Sequence, residues 1–283
     1  MRKSAKLLKR IDRIFPKPVH PFNLRDEKNK SYAEWQFEKG MNTIQFFLPI
    51  NTIEEMFLDK TVLDIGCGAA GKTLFYASHG VEHIYGLETL SHYQAEAEAL
   101  AEKLGFSDRF TFLHGDAAAL PFNDDSIDTI IMNDVFEHFD HPEAALLDAY
   151  RVLKPGGRIY MNFPPYHHPF GAHLSDAISM PWVHLFFSDE TLIEVYKDAV
   201  STLNDGDERI AFRIATNDNG QEYFSYINKM TVRRANQILR KVNLTPIYYR
   251  EAPLRNIFAP FAKLPLLREI MVKMVVCVFE KKA

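Results

Sequence analysis

The sequence lacks any hydrophobic run long enough to cross a membrane. Its longest unbroken apolar stretch, Met274 to Phe279, has six residues, whereas a membrane-spanning helix needs roughly 20. The first ten residues, MRKSAKLLKR, contain no apolar core of a secretory signal. From these two absences we expect a cytoplasmic protein without a membrane span.

Cysteine is also scarce, since Cys67 and Cys277 are the only two in 283 residues and neither has a CxxC or CxxH spacing. Two cysteines cannot form a disulfide framework or a structural zinc site of thiolates. Several histidines crowd a later region, but no helical i,i+4 pair of histidines and no evident carboxylate ligand accompany them. We therefore expect no metal site. These histidines are His167, His168, His173 and His184.

Basic residues are rare in the middle of the chain. Residues 31–150 carry five Lys or Arg against 21 Asp or Glu, whereas residues 1–30 carry ten against three. Because the acidic middle repels nucleic acid, we expect no nucleic-acid partner. Residues 1–17 combine helically spaced apolar residues with basic ones, which is typical of a helix docked on its domain or touching a membrane surface. Peripheral membrane contact through the termini therefore stays open, and the oligomeric state is not predicted.

The chain is 47% hydrophobic and 25% charged, and its strand patterns alternate with helix patterns. Such alternation predicts an α/β fold, with a mostly parallel, doubly wound Rossmann-like sheet and an antiparallel last strand. The strands that the pattern predicts are TVLDI (61–65), HIYGLE (83–88), RFTFLHGD (109–116), IDTIIMND (127–134), RIYMNF (158–163), LTPIYYR (244–250) and MVVCVF (274–279).

A glycine-rich turn, DIGCGAAGKT, follows the first strand and matches two nucleotide motifs. Gly66, Gly68 and Gly71 satisfy G-x-G-x-x-G, and the same turn with Lys72 and Thr73 satisfies the phosphate loop G-x-x-x-x-G-K-[ST]. Both motifs serve phosphates, which need amides and cations around them. Asp64, two residues before the first glycine, has the wrong charge for that role. A phosphate ligand is therefore disfavoured.

Three carboxylates lie at the ends of successive predicted strands: Asp64, Glu88 and Asp116. In open α/β sheets the carboxyl ends of the strands meet at the edge that binds ligands. Three carboxylates at one edge favour a ligand that is cationic and rich in hydrogen-bond donors. S-adenosylmethionine, with an ammonium, a sulfonium, a ribose diol and an adenine amine, has these properties.

Over most of residues 60–165 the sequence resembles the class I S-adenosylmethionine-dependent methyltransferases. Within that family it looks most like the small-molecule group that includes quinone and sterol methyltransferases. The resemblance is carried by five ordered motifs: VLDIGCGAAG (62–71), YGLE (85–88), GDAAALPF (115–122), DDSIDTIIMNDVFEH (124–138) and LKPGGRIYMNFPP (153–165).

The resemblance implies a role for each matching residue. Asp64, with the turn of Gly66, Cys67 and Gly68, would hold the methionine end of S-adenosylmethionine. The remaining residues would bind the rest of the cofactor: Glu88 the two ribose hydroxyls, Asp116 the adenine amine with Ala117 beside it, and Asn133 the methionine side. Lys72 is then a coincidental match to the phosphate loop.

The resemblance also predicts the organisation of the chain. We expect an N-terminal helical cap (1–55), a Rossmann-like core (56–165 and 230–283) and an inserted lid over the acceptor (166–229). Since the sulfonium is already activated, a general base is optional. His138 and His173 are the candidate catalytic residues, the latter because Gly171 precedes it.

The sequence thus predicts an enzyme that transfers a methyl group to an O, N or C atom of a small molecule, which could be apolar or lipid-like. Two alternatives remain at this point. One is a non-catalytic S-adenosylmethionine-binding partner subunit, and the other is a nucleotide-binding protein with a phosphate loop.

Overall fold

The computed structural model describes residues 1–18, 20, 23 and 31–282. Its helices are α1 (Lys3–Asp12), α2 (Tyr32–Glu38), α3 (Met41–Ile44), α4 (Ile53–Phe57), α5 (Gly71–Ala77), α6 (Gln94–Leu104), α7 (Pro142–Val152), α8 (Val183–Phe186), α9 (Asp189–Val200), α10 (Gly206–Arg213), α11 (Val232–Lys241), α12 (Ala259–Ala262) and α13 (Pro265–Met271). Its strands are β1 (Thr61–Ile65), β2 (His83–Glu88), β3 (Phe110–His114), β4 (Ile127–Asn133), β5 (Leu153–Phe163), β6 (Ile214–Thr216), β7 (Glu222–Phe224), β8 (Tyr248–Pro253) and β9 (Val272–Glu280).

Seven strands form one sheet in the order β3-β2-β1-β4-β5-β9-β8. Strands β1 to β5 pair in parallel, and β9 runs antiparallel to β5. Helices cover both faces of the sheet. This architecture confirms the predicted Rossmann-like fold with its antiparallel last strand. The strand order also reverses between β1 and β4, and such a reversal is where open α/β sheets bind ligands.

The chain divides into two compact units. The sheet unit comprises Lys28–Phe163, Val232–Ala252 and Met274–Ala283. Its apolar core includes β1 and β4. Both strands are buried along nearly their whole length, as expected for central parallel strands. The predicted helices of this unit are present, and α6 ends at Gly105 in the left-handed conformation with φ +75°.

The second unit, which we call the accessory unit, comprises Met1–Glu27, Pro164–Thr231 and Pro253–Lys273. It contains α1, α8, α9, α10, α12, α13 and the antiparallel pair β6–β7. Its own apolar core joins residues of α1 and α9, among them Leu8 and Tyr196. Helix α10 occupies a polar stretch of the sequence that the helix and strand patterns did not assign to a helix.

Helix α1 docks on α9 within the accessory unit. Ala5 and Leu8 are fully buried, while Lys9 pairs with Asp198 at 2.5 Å. The Asp12 carboxylate accepts the backbone N–H groups of residues 179 and 180, each at 2.7 Å. The structure therefore shows the docked helix that was one of the two interpretations of this segment. None of the helices among the described residues combines the length and the apolar composition required to span a bilayer.

Candidate functional site

The carboxyl ends of four adjacent strands bring the predicted binding residues to one edge of the sheet. In spatial order the strands are β3, β2, β1 and β4. Glu88 and Asn133 are the last residues of β2 and β4, Asp64 is the penultimate residue of β1, and Asp116 follows β3 by two positions. The strand pattern predicted one edge for the three carboxylates, and in the structure the strand end that carries Asn133 lies at the same edge.

Asp64 is buried, with 4% of its surface exposed. Its Oδ2 accepts a hydrogen bond of 2.6 Å from the hydroxyl of Thr73, on the first turn of α5. Burial raises the pKa of the Asp64 carboxyl to about 7, although the Thr73 hydrogen bond and the charge of Lys72 lower it. A half-protonated buried carboxyl is stabilised by any cation that reaches it, because the cation offsets the cost of burying its charge.

The turn after β1 is held against β2 by backbone hydrogen bonds. The N–H groups of Gly66 and Cys67 both donate to the Leu87 carbonyl, at 2.8 and 3.2 Å. Gly66 has φ +75°, and a Cβ there would lie 2.3 Å from Val135. A glycine is thus needed for conformation and for space. The Cys67 side chain is buried, and burial raises its thiol pKa well above the ordinary value.

A backbone-to-carboxylate bond links the glycine turn to β2. Gly68, with φ +55°, donates its N–H to Glu88 Oε2 at 2.9 Å. The other Glu88 oxygen accepts the N–H groups of Thr89 and Leu90, at 2.8 and 3.1 Å. These bonds fix the Glu88 carboxylate beside the turn. Among the described residues, no atom lies closer than 3.5 Å to the position of a Cβ on Gly68, so this glycine leaves room for a ligand.

Asp116 and Ala117 begin the turn after β3. The Asp116 carboxylate accepts the N–H of Ala118 at 2.9 Å, which closes a local turn and orients the side chain. Asp116 is exposed and Ala117 is buried, so an acidic group lies next to an apolar surface. Such a pair can bind a flat ring that carries an amine at its edge.

Asn133 is oriented by residues on both sides. Its Oδ1 accepts the hydroxyl of Thr43, on α3, at 2.9 Å, and its Nδ2 donates to Asp134 at 3.2 Å. Asp134 has φ +51°, and Lys72 Nζ lies 3.9 Å from its carboxylate. The lysine of the apparent phosphate loop therefore forms an ion pair inside this unit.

Helix α2 closes the glycine turn from the N-terminal side. A Cβ on Gly71 would lie 1.9 Å from the Ala33 carbonyl, so α2 and α5 meet at backbone distance. Gln36 accepts the Gly71 N–H at 3.4 Å and donates to Tyr32 at 3.0 Å. Ser31 and Glu34 form a capping box that fixes where α2 begins. No motif marked Gln36, although the S-x-x-E pattern was visible.

His138 lies in the 3-10 turn Phe136–His138 that follows β4. Its Nε2 is 3.8 Å from a carboxylate oxygen of Glu137. Burial raises the pKa of Glu137 well above its ordinary value, and the nearby Asp134 raises it further. Glu137 lies within the fourth of the five motifs (124–138), for which the resemblance implied no role at this position.

His173 lies in the accessory unit, whereas His138 lies in the sheet unit. His173 itself adopts the left-handed conformation, with φ +52°, and Gly171 does not. Gly171 is needed instead for space, because a Cβ would lie 2.1 Å from the Tyr166 carbonyl. The unusual backbone conformation expected at Gly171 is therefore found two residues later, at His173 itself. Burial lowers the pKa of His168 and of His184 to about 4, so both rings are neutral at pH 7.

A buried ion cluster organises the accessory unit. Asp176, whose side chain is fully buried, lies 3.4 Å from Arg209 and 3.1 Å from Arg213, both on α10. It also accepts the Tyr196 hydroxyl at 2.9 Å. Arg213 further contacts the rings of Tyr196 and Tyr226, each 5.2 Å from the guanidinium carbon. These contacts explain why the polar segment around residue 206 is a helix with buried arginines.

Residues 63–161 match the family described as a methyltransferase domain. The chain is 36% identical over 98 residues to the sterol 24-C-methyltransferase of Pneumocystis carinii (strain B80), covering 35% of this chain and 26% of that protein. It is 38% identical over 101 residues to the Oryza sativa subsp. japonica protein named Probable tocopherol O-methyltransferase, chloroplastic, covering 35% and 28%. The match thus spans only about a quarter of each relative's length.

The fold is also similar to the crystal structure of the cyclase SpnF, with a TM-score of 0.54, 16% identity, and coverage of 99% of this chain and 93% of that one. At this identity the likeness concerns the fold alone. The sequence match concerns residues 63–161, and it supports a class I S-adenosylmethionine-dependent methyltransferase domain there, a family whose cofactor is S-adenosylmethionine.

Proposed function

We propose that the protein transfers the methyl group of S-adenosylmethionine to a small, apolar acceptor molecule. The proposal rests on one observation. Four side chains with oxygen acceptors lie at the carboxyl ends of four adjacent parallel strands: Asp116, Glu88, Asp64 and Asn133. Together they offer oxygen acceptors to a ligand that is cationic and rich in donors. S-adenosylmethionine is such a ligand, and when bound it supplies a methyl group that is already activated.

Asp64 would bind the ammonium group at the methionine end. Its burial and raised pKa make it a site that gains from an incoming cation. Thr73 holds one carboxylate oxygen, which fixes the orientation of the group before the ligand arrives. The turn of Gly66, Cys67 and Gly68 would line the same end, with Gly68 allowing close approach.

Glu88 would accept the two ribose hydroxyls. Its Oε1 is saturated by local donors, whereas Oε2 accepts the Gly68 N–H. Since a carboxylate oxygen has two lone pairs, Oε2 can accept one hydroxyl as it stands, and the second hydroxyl would replace one of the local donors to Oε1. The ligand would then bridge strand β2 and the glycine turn, which are already bonded to each other.

Asp116 and Ala117 would bind the adenine, with the carboxylate accepting the amine and the alanine contacting the ring. Asn133 would line the methionine side, in an orientation set by Thr43. The alternative of a phosphate ligand has less support, because the Thr73 hydroxyl that would serve magnesium is fully buried and bonded to Asp64.

The acceptor is proposed from the sequence match. One relative is named for a sterol and the other for a tocopherol, and their names give a carbon and an oxygen as the methylated atom. Both acceptors are apolar small molecules, which supports the same class here. For the acceptor side we propose His138 and His173 as proton acceptors, each to be tested by its own substitution.

Calorimetric titration tests the cofactor, with S-adenosylhomocysteine, S-adenosylmethionine, Mg-ATP and NAD as ligands. We expect binding of the first two alone. Asp64→Ala is expected to weaken that binding by about 1 to 3 kcal/mol, because the ammonium loses a charged partner. Asp140→Asn, at an exposed carboxylate beyond the neighbouring strand β4, is the matched control and should bind normally. Binding of Mg-ATP alone would contradict the proposal.

Turnover tests the reaction itself. Methyl transfer from labelled S-adenosylmethionine would be followed with a panel of phenols, quinols, sterols and lipids. Transfer to one of them, lost in Asp64→Ala, supports the proposal. Tight cofactor binding without transfer to any acceptor would favour the non-catalytic partner subunit.

A further inference from the structure

The segment between β8 and β9 forms a closed hairpin in the accessory unit. Its base is tied by the hydrogen bond from Leu254 N–H to the Met271 carbonyl, at 2.9 Å. Between these residues the chain makes a 3-10 turn (Asn256–Phe258), then α12 and α13, which pack on each other. We call residues 254–271 the tip hairpin. Pro260 is the second residue of α12 and Pro265 the first of α13, positions where proline's missing N–H costs no helical hydrogen bond.

The tip hairpin exposes three large apolar side chains. Ile257, Phe261 and Leu264 are 75%, 47% and 50% exposed, whereas Ala262 is only 6% exposed. They follow one another closely along the tip hairpin: Ile257 in the 3-10 turn, Phe261 in α12, and Leu264 directly before α13. Exposed apolar residues that cluster in this way typically mark a contact surface rather than random scatter.

Cations surround these side chains. Arg255 and Lys263 alternate with the apolar residues along the chain and are exposed. Residues 253–273 carry four Lys or Arg against a single acid, Glu269, although the protein as a whole has a net charge of −4. A local excess of positive charge favours an anionic partner.

We propose that the tip hairpin docks the protein on an anionic lipid surface, with Ile257, Phe261 and Leu264 entering the interface and Arg255 and Lys263 meeting lipid phosphates. Apolar anchors framed by cations are the pattern of proteins that lie on a membrane. The inference goes beyond methyl transfer, because docking on lipid needs neither cofactor nor acceptor. It also places the accessory unit at a source of apolar molecules.

Vesicle co-sedimentation of the full chain tests this inference. We expect binding to phosphatidylcholine vesicles containing about 30% phosphatidylglycerol, and weaker binding to pure phosphatidylcholine or at high salt. The double variant Ile257→Ser/Phe261→Ser should bind at least about tenfold more weakly. Leu58→Ser/Leu147→Ser is the matched control, because these leucines are 47% and 52% exposed in the sheet unit. That control should bind like the wild type.

The charged residues are tested in the same assay. Arg255→Glu/Lys263→Glu should remove most of the preference for anionic vesicles, while S-adenosylhomocysteine binding stays unchanged and reports an intact fold. Lys6→Glu/Arg10→Glu, on exposed positions of α1, tests the other basic segment.

Three results would overturn the inference. The first is a wild type that ignores anionic vesicles. The second is a tip variant that binds vesicles as well as the wild type, including the case in which only the α1 variant loses binding. The third is a tip variant whose sole change is in oligomeric state, which would assign the surface to a second copy of the chain.

Discussion

Each of the two units buries an aspartate, and the surroundings of the two side chains differ. In the accessory unit Asp176 has two resident cations, Arg209 and Arg213, and a tyrosine hydroxyl. In the sheet unit Asp64 has a single neutral donor, Thr73, and none of the ion pairs among the described residues includes it. The charge of the first carboxylate is compensated by cations of the protein, whereas the second has only a neutral hydrogen-bond donor beside it.

This difference separates a structural group from a candidate binding group. Burying a charge is costly unless it is paired, so a fold that needs only stability pairs it, as around Asp176. A buried carboxyl with a raised pKa and no resident cation lowers stability at neutral pH. Such a group at a strand end is therefore a candidate for ligand binding.

The largest expected effect comes from breaking the Asp176 cluster. Asp176→Asn removes the buried negative charge that Arg209 and Arg213 share, and we expect the free energy of unfolding to fall by about 3 to 5 kcal/mol. Urea denaturation measures this loss. Asp198→Asn, which breaks the exposed pair with Lys9, is the control and should cost less than about 1 kcal/mol. Equal losses in the two variants would remove the structural role of the cluster.

The same substitution at Asp64 should have the opposite sign. The pKa of this acid is about 7 in the folded protein and roughly 4 in an unfolded chain. The stability that the protonated group contributes is therefore full below pH 4 and lost as the pH rises to 7. Asn cannot ionise and can still accept the Thr73 hydroxyl. At pH 8 we expect the free energy of unfolding of Asp64→Asn to exceed that of the wild type by about 1 to 3 kcal/mol. The variant should therefore unfold at a higher urea concentration.

A destabilised Asp64→Asn protein at pH 8 would contradict this sign. The comparison at pH 4 serves as the internal control, because there both the acid and the amide are neutral. The difference between the two proteins should nearly vanish at that pH.

The smallest effect is expected at Lys72. Its ammonium pairs with Asp134 and lowers the pKa of Asp64 only through space. Lys72→Ala should change the affinity for S-adenosylhomocysteine by less than about 1 kcal/mol, as measured by calorimetry. A large loss of affinity, accompanied by loss of Mg-ATP binding, would restore the phosphate-loop interpretation.

The sheet could be predicted because its signals are local. Each of β1 to β4 is a short apolar run between turn signals, and the parallel order brings Asp64, Glu88 and Asp116 to one edge without further information. The roles of these residues in binding remain predictions.

The parts that were missed depend on contacts distant in sequence. Helix α10 was not predicted because its sequence is polar. Its arginines are buried only because they pair with Asp176, about thirty residues earlier in the chain. Gln36 contacts Gly71 across thirty-five residues. In the tip hairpin, Pro265 lies within an apolar segment of the sequence and is the first residue of α13.

We propose that the Asp64 carboxylate binds the ammonium group of the cofactor. The pH dependence of S-adenosylhomocysteine binding tests this role most directly. A carboxyl with a pKa of about 7 must lose its proton to pair with the ammonium. The affinity of the wild type should therefore fall by up to about tenfold for each pH unit below 7 and level off above it. Asp64→Asn should bind weakly, without this slope. A pH-independent wild type, or a variant with the same slope, would contradict the claim.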